Sequence, residues 1–123
     1  MAKAVMEALP NEDILYFGDT ARVPYGIKSQ ETVRKYALEI TRFLLDKGVK
    51  MILIACNTVS ASAKAEIIEM AGEVPVLDVI TSGSEMAVSF TKHDEVAIIG
   101  TLATVNSGAY KKAIHQLDSA VRV

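Results

Sequence analysis

A chain with one cysteine, Cys56, cannot be built on an intrachain disulfide framework. With only His93 and His115 beside that thiol it also offers no ligand spacing for a zinc site. Cys56 is therefore either small apolar filler in a core or a reactive nucleophile or base. An excess of charge of one sign is missing too: 13 Lys and Arg stand against 15 Asp and Glu, for a formal net charge of −2, with the signs mixed along the sequence. There is no basic stripe for nucleic acid and no polybasic membrane anchor, which leaves a small molecule as the expected partner. Long hydrophobic runs are absent as well. The longest, Met51–Cys56, is far below the roughly 20 residues a bilayer crossing needs. The first residues have neither the basic nor the apolar region of a secretory signal, so a cytoplasmic location is expected. Internal repeats and low-complexity stretches are lacking.

What is present is the make-up of one ordinary globular domain, with 123 residues that are 50% hydrophobic and 23% charged. Ala2–Leu9 patterns as the end of a helix stopped by Pro10 and Asn11, and Ile14–Phe17 reads as a short buried strand. A loop from Gly18 to Lys28 leads to Ser29, which is placed to cap a helix carrying Val33, Tyr36, Ala37, Ile40, Phe43 and Leu44 on one face and ending at Gly48. Val49–Ala55 is almost continuously apolar, as in a parallel strand covered by helices on both faces. A helix from Thr58 to about Ala71, closed by Gly72, precedes a strand at Val76–Val79. Ser82 and Glu85 form a capping-box pattern ahead of a helix to Phe90, Glu95–Ile99 reads as another buried strand, and Ser107–Leu117 as a last helix. This alternation predicts an α/β fold with a mainly parallel sheet flanked by helices.

In such sheets ligands bind beyond the carboxyl ends of the strands. After Ala55 comes Cys56-Asn57-Thr58, a thiol, an amide and a hydroxyl at a helix start, where free backbone N–H groups and the helix dipole favour negative charge. The bland alternative is a buried cysteine followed by a helix cap. After Ile99 come Thr101, Thr104 and Ser107, a hydroxyl-rich turn suited to a carboxylate and equally suited to capping. After Phe17 comes GDTARVPYG (Gly18–Gly26), longer and more particular in composition than a minimal connection needs. His93 and His115 sit among charged residues with no evident partner and read as surface.

Taken together, and in this order and spacing, GDTARVPYG, ACNTVSA (Ala55–Ala61) and GTLATVNSGAY (Gly100–Tyr110) resemble the glutamate racemases of the aspartate/glutamate racemase family, over essentially the whole chain. The resemblance implies cofactor-independent interconversion of L- and D-glutamate, which supplies D-glutamate for peptidoglycan. Two cysteines of that family act from opposite faces of the substrate, and Cys56 matches the one that removes the α-proton. By the same resemblance Asn57, Thr58, Tyr25, Gly26, Thr101 and Thr104 would contact the substrate. The family's opening strand, with its Asp-Ser-Gly-Val-Gly-Gly-like loop, is expected ahead of Ala2, and its Gly-Cys-Thr-His motif with the second thiol beyond Val123. The fold is thus expected to be incomplete, with residues 1–93 forming most of a first α/β domain and 94–123 the start of a second. Such a chain is expected to be inactive alone and, through exposed apolar surface, either unstable or self-associating as a homo-oligomer. The competing readings are an aspartate racemase or single-cysteine decarboxylase of the same superfamily, and a non-catalytic binding fragment.

Overall fold

The computed structural model describes all residues from 1 to 123, beginning with helix α1 (Ala2–Ala8), which buries none of its side chains. Helix α2 (Gln30–Asp46) opens where expected, because the Ser29 hydroxyl accepts the backbone N–H of Thr32, a cap worth about 1 kcal/mol. It ends at Gly48, whose positive φ of 71° lets the chain turn while its N–H reaches the Leu45 carbonyl. Strand β1 (Ile52–Ile54) leads into helix α3 (Asn57–Ala71), closed by Gly72, and strand β2 (Val76–Asp78) pairs in parallel with β1. Helix α4 (Val79–Phe90) follows at once, and a crossing segment leads to the short α5 (Leu102–Asn106) and then α6 (Ala109–Leu117).

The core lies between α2, α3 and one face of the sheet. Ile52 and Ile54 point inward against Ala63, Ile67 and Ala71 of α3 and Ala37 of α2. Alanine at Ala37 and Ala63 lets the two helices approach closely. Thr41 is buried within α2 because its hydroxyl donates to the Ala37 carbonyl at 2.8 Å. Arg34 fastens the helices at the rim, donating to the Ser62 carbonyl at 2.7 Å and lying 2.9 Å from Glu66.

The opposite face of the sheet is bare. Leu53 and Leu77 are partners in register and are 43% and 51% exposed, so helices cover β1 on one side and not on the two sides its apolar run predicts. The fold is α/β, but its sheet has only two strands and helix predominates. Neither Ile14–Phe17 nor Glu95–Ile99 forms a strand; the latter contributes only an isolated parallel bridge between Glu95 and Arg122. Both segments have strand-like sequences, yet no neighbour offers them a ladder of backbone partners, and Ile99 stands 98% exposed.

The start of α4 also differs from expectation. Asp78, and not Ser82, caps it: the Asp78 carboxylate accepts the N–H groups of Ile80 and Thr81, so the helix begins at Val79. Lys64 of α3 pairs with the same carboxylate. On the far side of α4, helix α6 buries Ile114 completely, and Ile80 and Val121 nearly so.

Candidate functional site

The site grows from the end of β1. Ala55 and Cys56 continue past Ile54, and Cys56 keeps extended backbone angles as the residue before α3. Its carbonyl accepts the first helical N–H, from Ser60 at 2.9 Å, while its side chain makes no capping bond. The thiol is exposed, which sets aside the buried-filler reading. It stands beside the first N–H groups of a fifteen-residue helix, which have no intrahelical acceptor.

Next to the thiol the chain gathers hydroxyls. Thr58 and Thr104 are buried, and Thr101 lies between them, its hydroxyl 3.3 Å from that of Thr58 and 3.0 Å from that of Thr104. Thr101 also caps α5, accepting the N–H of Thr104. One row of three hydroxyls thus joins the starts of α3 and α5. Gly26 closes against this row: a Cβ there would lie 2.7 Å from Thr101 Cγ2, so any side chain would push the Gly18–Lys28 loop away.

Tyr25, buried in the same loop, donates its hydroxyl to Asp19. Arg22 lies 2.7 Å from that carboxylate, pairs with Glu39 of α2, and stacks 4.2 Å above the Tyr36 ring. Burial, the bond to Asp19, and the charges of Asp19 and Cys56 together push the Tyr25 phenol well above its usual range. Its proton therefore stays in place at neutral pH. Burial opposes the charge on Asp19, but the Tyr25 hydroxyl and the Arg22 guanidinium outweigh it and hold that carboxyl below its ordinary value.

All seven site residues named from the sequence thus fall at the β1–α3 junction, the Gly18–Lys28 loop that abuts it, or the start of α5. An adjoining cleft of about 420 Å³ includes Asn57, Thr101 and Thr104 in its wall, but not Cys56, Thr58, Tyr25 or Gly26. Much of that wall is the apolar run Val96–Ile99, and its polar side chains are those of Asn57, Thr101, Thr104 and Tyr110. His93 and His115 stay outside, both exposed, with His115 turned toward the Val121 carbonyl at 3.1 Å. No cluster of three His, Cys, Asp or Glu side chains is placed to hold a metal ion. No helix is long and apolar enough to cross a membrane.

Three residues escaped the sequence reading. Asp19 and Arg22 carry an opposite-charge signal at a spacing of three, inside a loop where charges ordinarily face water. Tyr110 of α6 donates its hydroxyl to the Asn57 side-chain oxygen at 2.7 Å, across 53 residues of sequence, a contact with no local signal.

Comparison with known proteins matches residues 1–123 to the family model described as Asp/Glu/Hydantoin racemase. The chain is 52% identical, over its full 123 residues, to a glutamate racemase from Syntrophus aciditrophicus, covering 45% of that protein. It is 50% identical over the same span to one from Chlorobaculum tepidum, again covering 45% of it. Among solved structures, it superimposes with a TM-score of 0.92 on the glutamate racemase from Francisella tularensis in complex with D-glutamate, at 48% identity, covering 99% of this chain and 45% of that one. For a glutamate racemase isoform from Bacillus anthracis the TM-score is 0.94 at 38% identity, covering 99% of this chain and 46% of that one. The chain spans less than half the length of these relatives.

Proposed function

The chain belongs to the Asp/Glu/hydantoin racemase family, and from that premise we propose that it carries the Cys56 side of a glutamate racemase site. Cys56 acts as the base that removes the α-proton of glutamate. The α-proton is weakly acidic, so the reaction needs an intrinsically reactive base and fixed donors for the charge that develops. The exposed thiol at the start of α3, with Asn57 and the row of Thr58, Thr101 and Thr104 beside it, supplies both, and this juxtaposition carries the reading. Asn57, Thr58, Thr101 and Thr104 hold the amino-acid head of the substrate, and Tyr25 and Gly26 close the pocket behind it. The D-glutamate bound by the Francisella tularensis relative favours glutamate over aspartate as the substrate.

Inversion requires a second proton donor on the opposite face, and this chain has no second cysteine. The chain alone therefore exchanges the α-proton without completing racemisation, a step that in the whole enzyme provides D-glutamate for peptidoglycan. No cofactor takes part. Residues 1–93 form most of a first domain and 94–123 the beginning of a second. In a chain of its relatives' length the bare sheet face and the strand-like segments Ile14–Phe17 and Glu95–Ile99 would belong to a wider parallel sheet. In this chain that surface drives self-association in a cytoplasmic setting.

The test is incubation with L-glutamate in deuterated water, following loss of the α-proton signal by NMR and D-glutamate by a chiral assay, with Cys56→Ala as control. Exchange without D-glutamate, absent in the control, is expected. Exchange that persists in Cys56→Ala would remove the thiol from its assigned role, and full racemisation would show that another group serves as the opposing acid.

A further inference from the structure

Asn57 sits at the first position of α3, directly after Cys56, and its side chain has two chemically opposite ends. The oxygen accepts from the Tyr110 hydroxyl at 2.7 Å, whereas the amide nitrogen has no acceptor anywhere in the chain. The phenol reaches that oxygen from α6 by passing over α4 where Gly83 leaves room: a Cβ at Gly83 would lie 3.3 Å from both Tyr110 Cε1 and the hydroxyl oxygen. Gly83, Tyr110 and Asn57 all line the same cleft, together with Thr101 and Thr104. Burial, and then the negative charge of Asp78, raise the Tyr110 pKa, so the hydroxyl remains a donor throughout the neutral range.

In this arrangement the phenol occupies the oxygen end of the amide and leaves the nitrogen end unpartnered. We propose that Tyr110 is a positioning residue that holds the Asn57 carboxamide by its oxygen and leaves the NH₂ group free, in the cleft wall shared with Thr101 and Thr104, to donate to a carboxylate of the ligand. This rests on the glutamate reading given above. Without Tyr110 the amide is free to turn over and present its oxygen, which repels a carboxylate. Helix α6, remote in sequence, thereby sets the polarity of the donor array at the start of α3.

The test uses the ¹⁵N-labelled chain, with the Asn57 NH₂ signals assigned by their disappearance in Asn57→Asp. Tyr110→Phe, which removes one oxygen and keeps the ring, is expected to shift those signals and to weaken L-glutamate binding, followed by NMR titration, about three- to tenfold. In an Asn57→Ala background the same Tyr110→Phe change is expected to have no further effect on binding, whereas a merely structural role would persist there. Gly83→Ala, which keeps the phenol and crowds it, gives an independent reading if Tyr110→Phe loses the fold, and is expected to move the same NH₂ pair. Unchanged Asn57 signals in both variants would overturn the proposal, as would undiminished binding in Tyr110→Phe. Signals that move while L-glutamate binds to no form of the chain would uphold the lock on Asn57 and overturn the glutamate reading instead.

Discussion

Two runs of nearly the same character, Met51–Ala55 and Val96–Ile99, meet opposite fates. In the first, Ile52 and Ile54 are 5% and 6% exposed beneath α2 and α3; in the second, Ile99 is almost wholly in solvent. The difference lies in neighbours and not in the runs themselves. β1 finds β2 through the intervening α3, a local crossover the chain contains in full, and the helix covers the pair as it returns. Val96–Ile99 has no adjacent strand, so its backbone is anchored only at its start, where the Val96 N–H reaches the Arg122 carbonyl. An apolar pattern states what a segment requires, and the rest of the fold determines whether the requirement is met.

The comparison can be broken most directly by truncation. Ile67→Ala, under the sheet, is expected to cost about 2–5 kcal/mol through lost transfer energy and a cavity. Ile99→Ala is expected to change stability by no more than about 0.5 kcal/mol. Urea denaturation of the two variants measures both, and equal losses would mean that Val96–Ile99 is buried in solution. Next in size, Gly26→Ala forces a methyl group into Thr101 and should destabilise the chain by about 1–3 kcal/mol, with faster hydrogen exchange in the Gly18–Lys28 loop. Asp78→Ala probes the join between the well-packed and thinly packed regions. It uncaps α4 and leaves Lys64 without its partner, for an expected loss of about 1 kcal/mol seen as a lower melting temperature.

The smallest expected effect is a pH dependence confined to the loop. The Asp19 carboxyl is held below its ordinary value, so its contribution is present above the unfolded value of about 3.9 and lost as pH falls through the folded one. Tyr25 has the opposite sign: its contribution is present below about pH 10 and lost as pH rises through its elevated folded value. Acid and alkaline titrations followed by loop hydrogen exchange should each lose one arm in Asp19→Asn. Unaltered titration in that variant would show that the carboxylate does not hold the loop.

Much of the well-packed region was legible in advance because its signals are local. Ser29 announces α2, Gly48 and Gly72 end their helices, and an apolar run before Cys56-Asn57-Thr58 announces a strand leading to a helix start. Where two local signals competed, sequence alone could not rank them. Ser82 and Glu85 resemble a capping box, yet the Asp78 carboxylate, four residues before Ser82, gathers two N–H groups and starts the helix. Helix α5, at five residues, is too short to show periodicity. The candidate site divided in the same way. Its thiol, amide and threonines were visible as a strand end and a hydroxyl-rich turn, whereas the Asp19–Arg22 pair and Tyr110 emerge only once distant segments are brought together.

The bare face of the sheet also has a calorimetric consequence. Heat capacity on unfolding rises with the apolar surface newly exposed to water, and folded proteins average about 12–15 cal/mol/K per residue. With 18 of 123 residues buried, and with Leu53, Leu77 and Ile99 already in solvent, little of that surface remains to be uncovered. Its stability should therefore vary weakly with temperature, and its unfolding should respond to urea with a shallow slope.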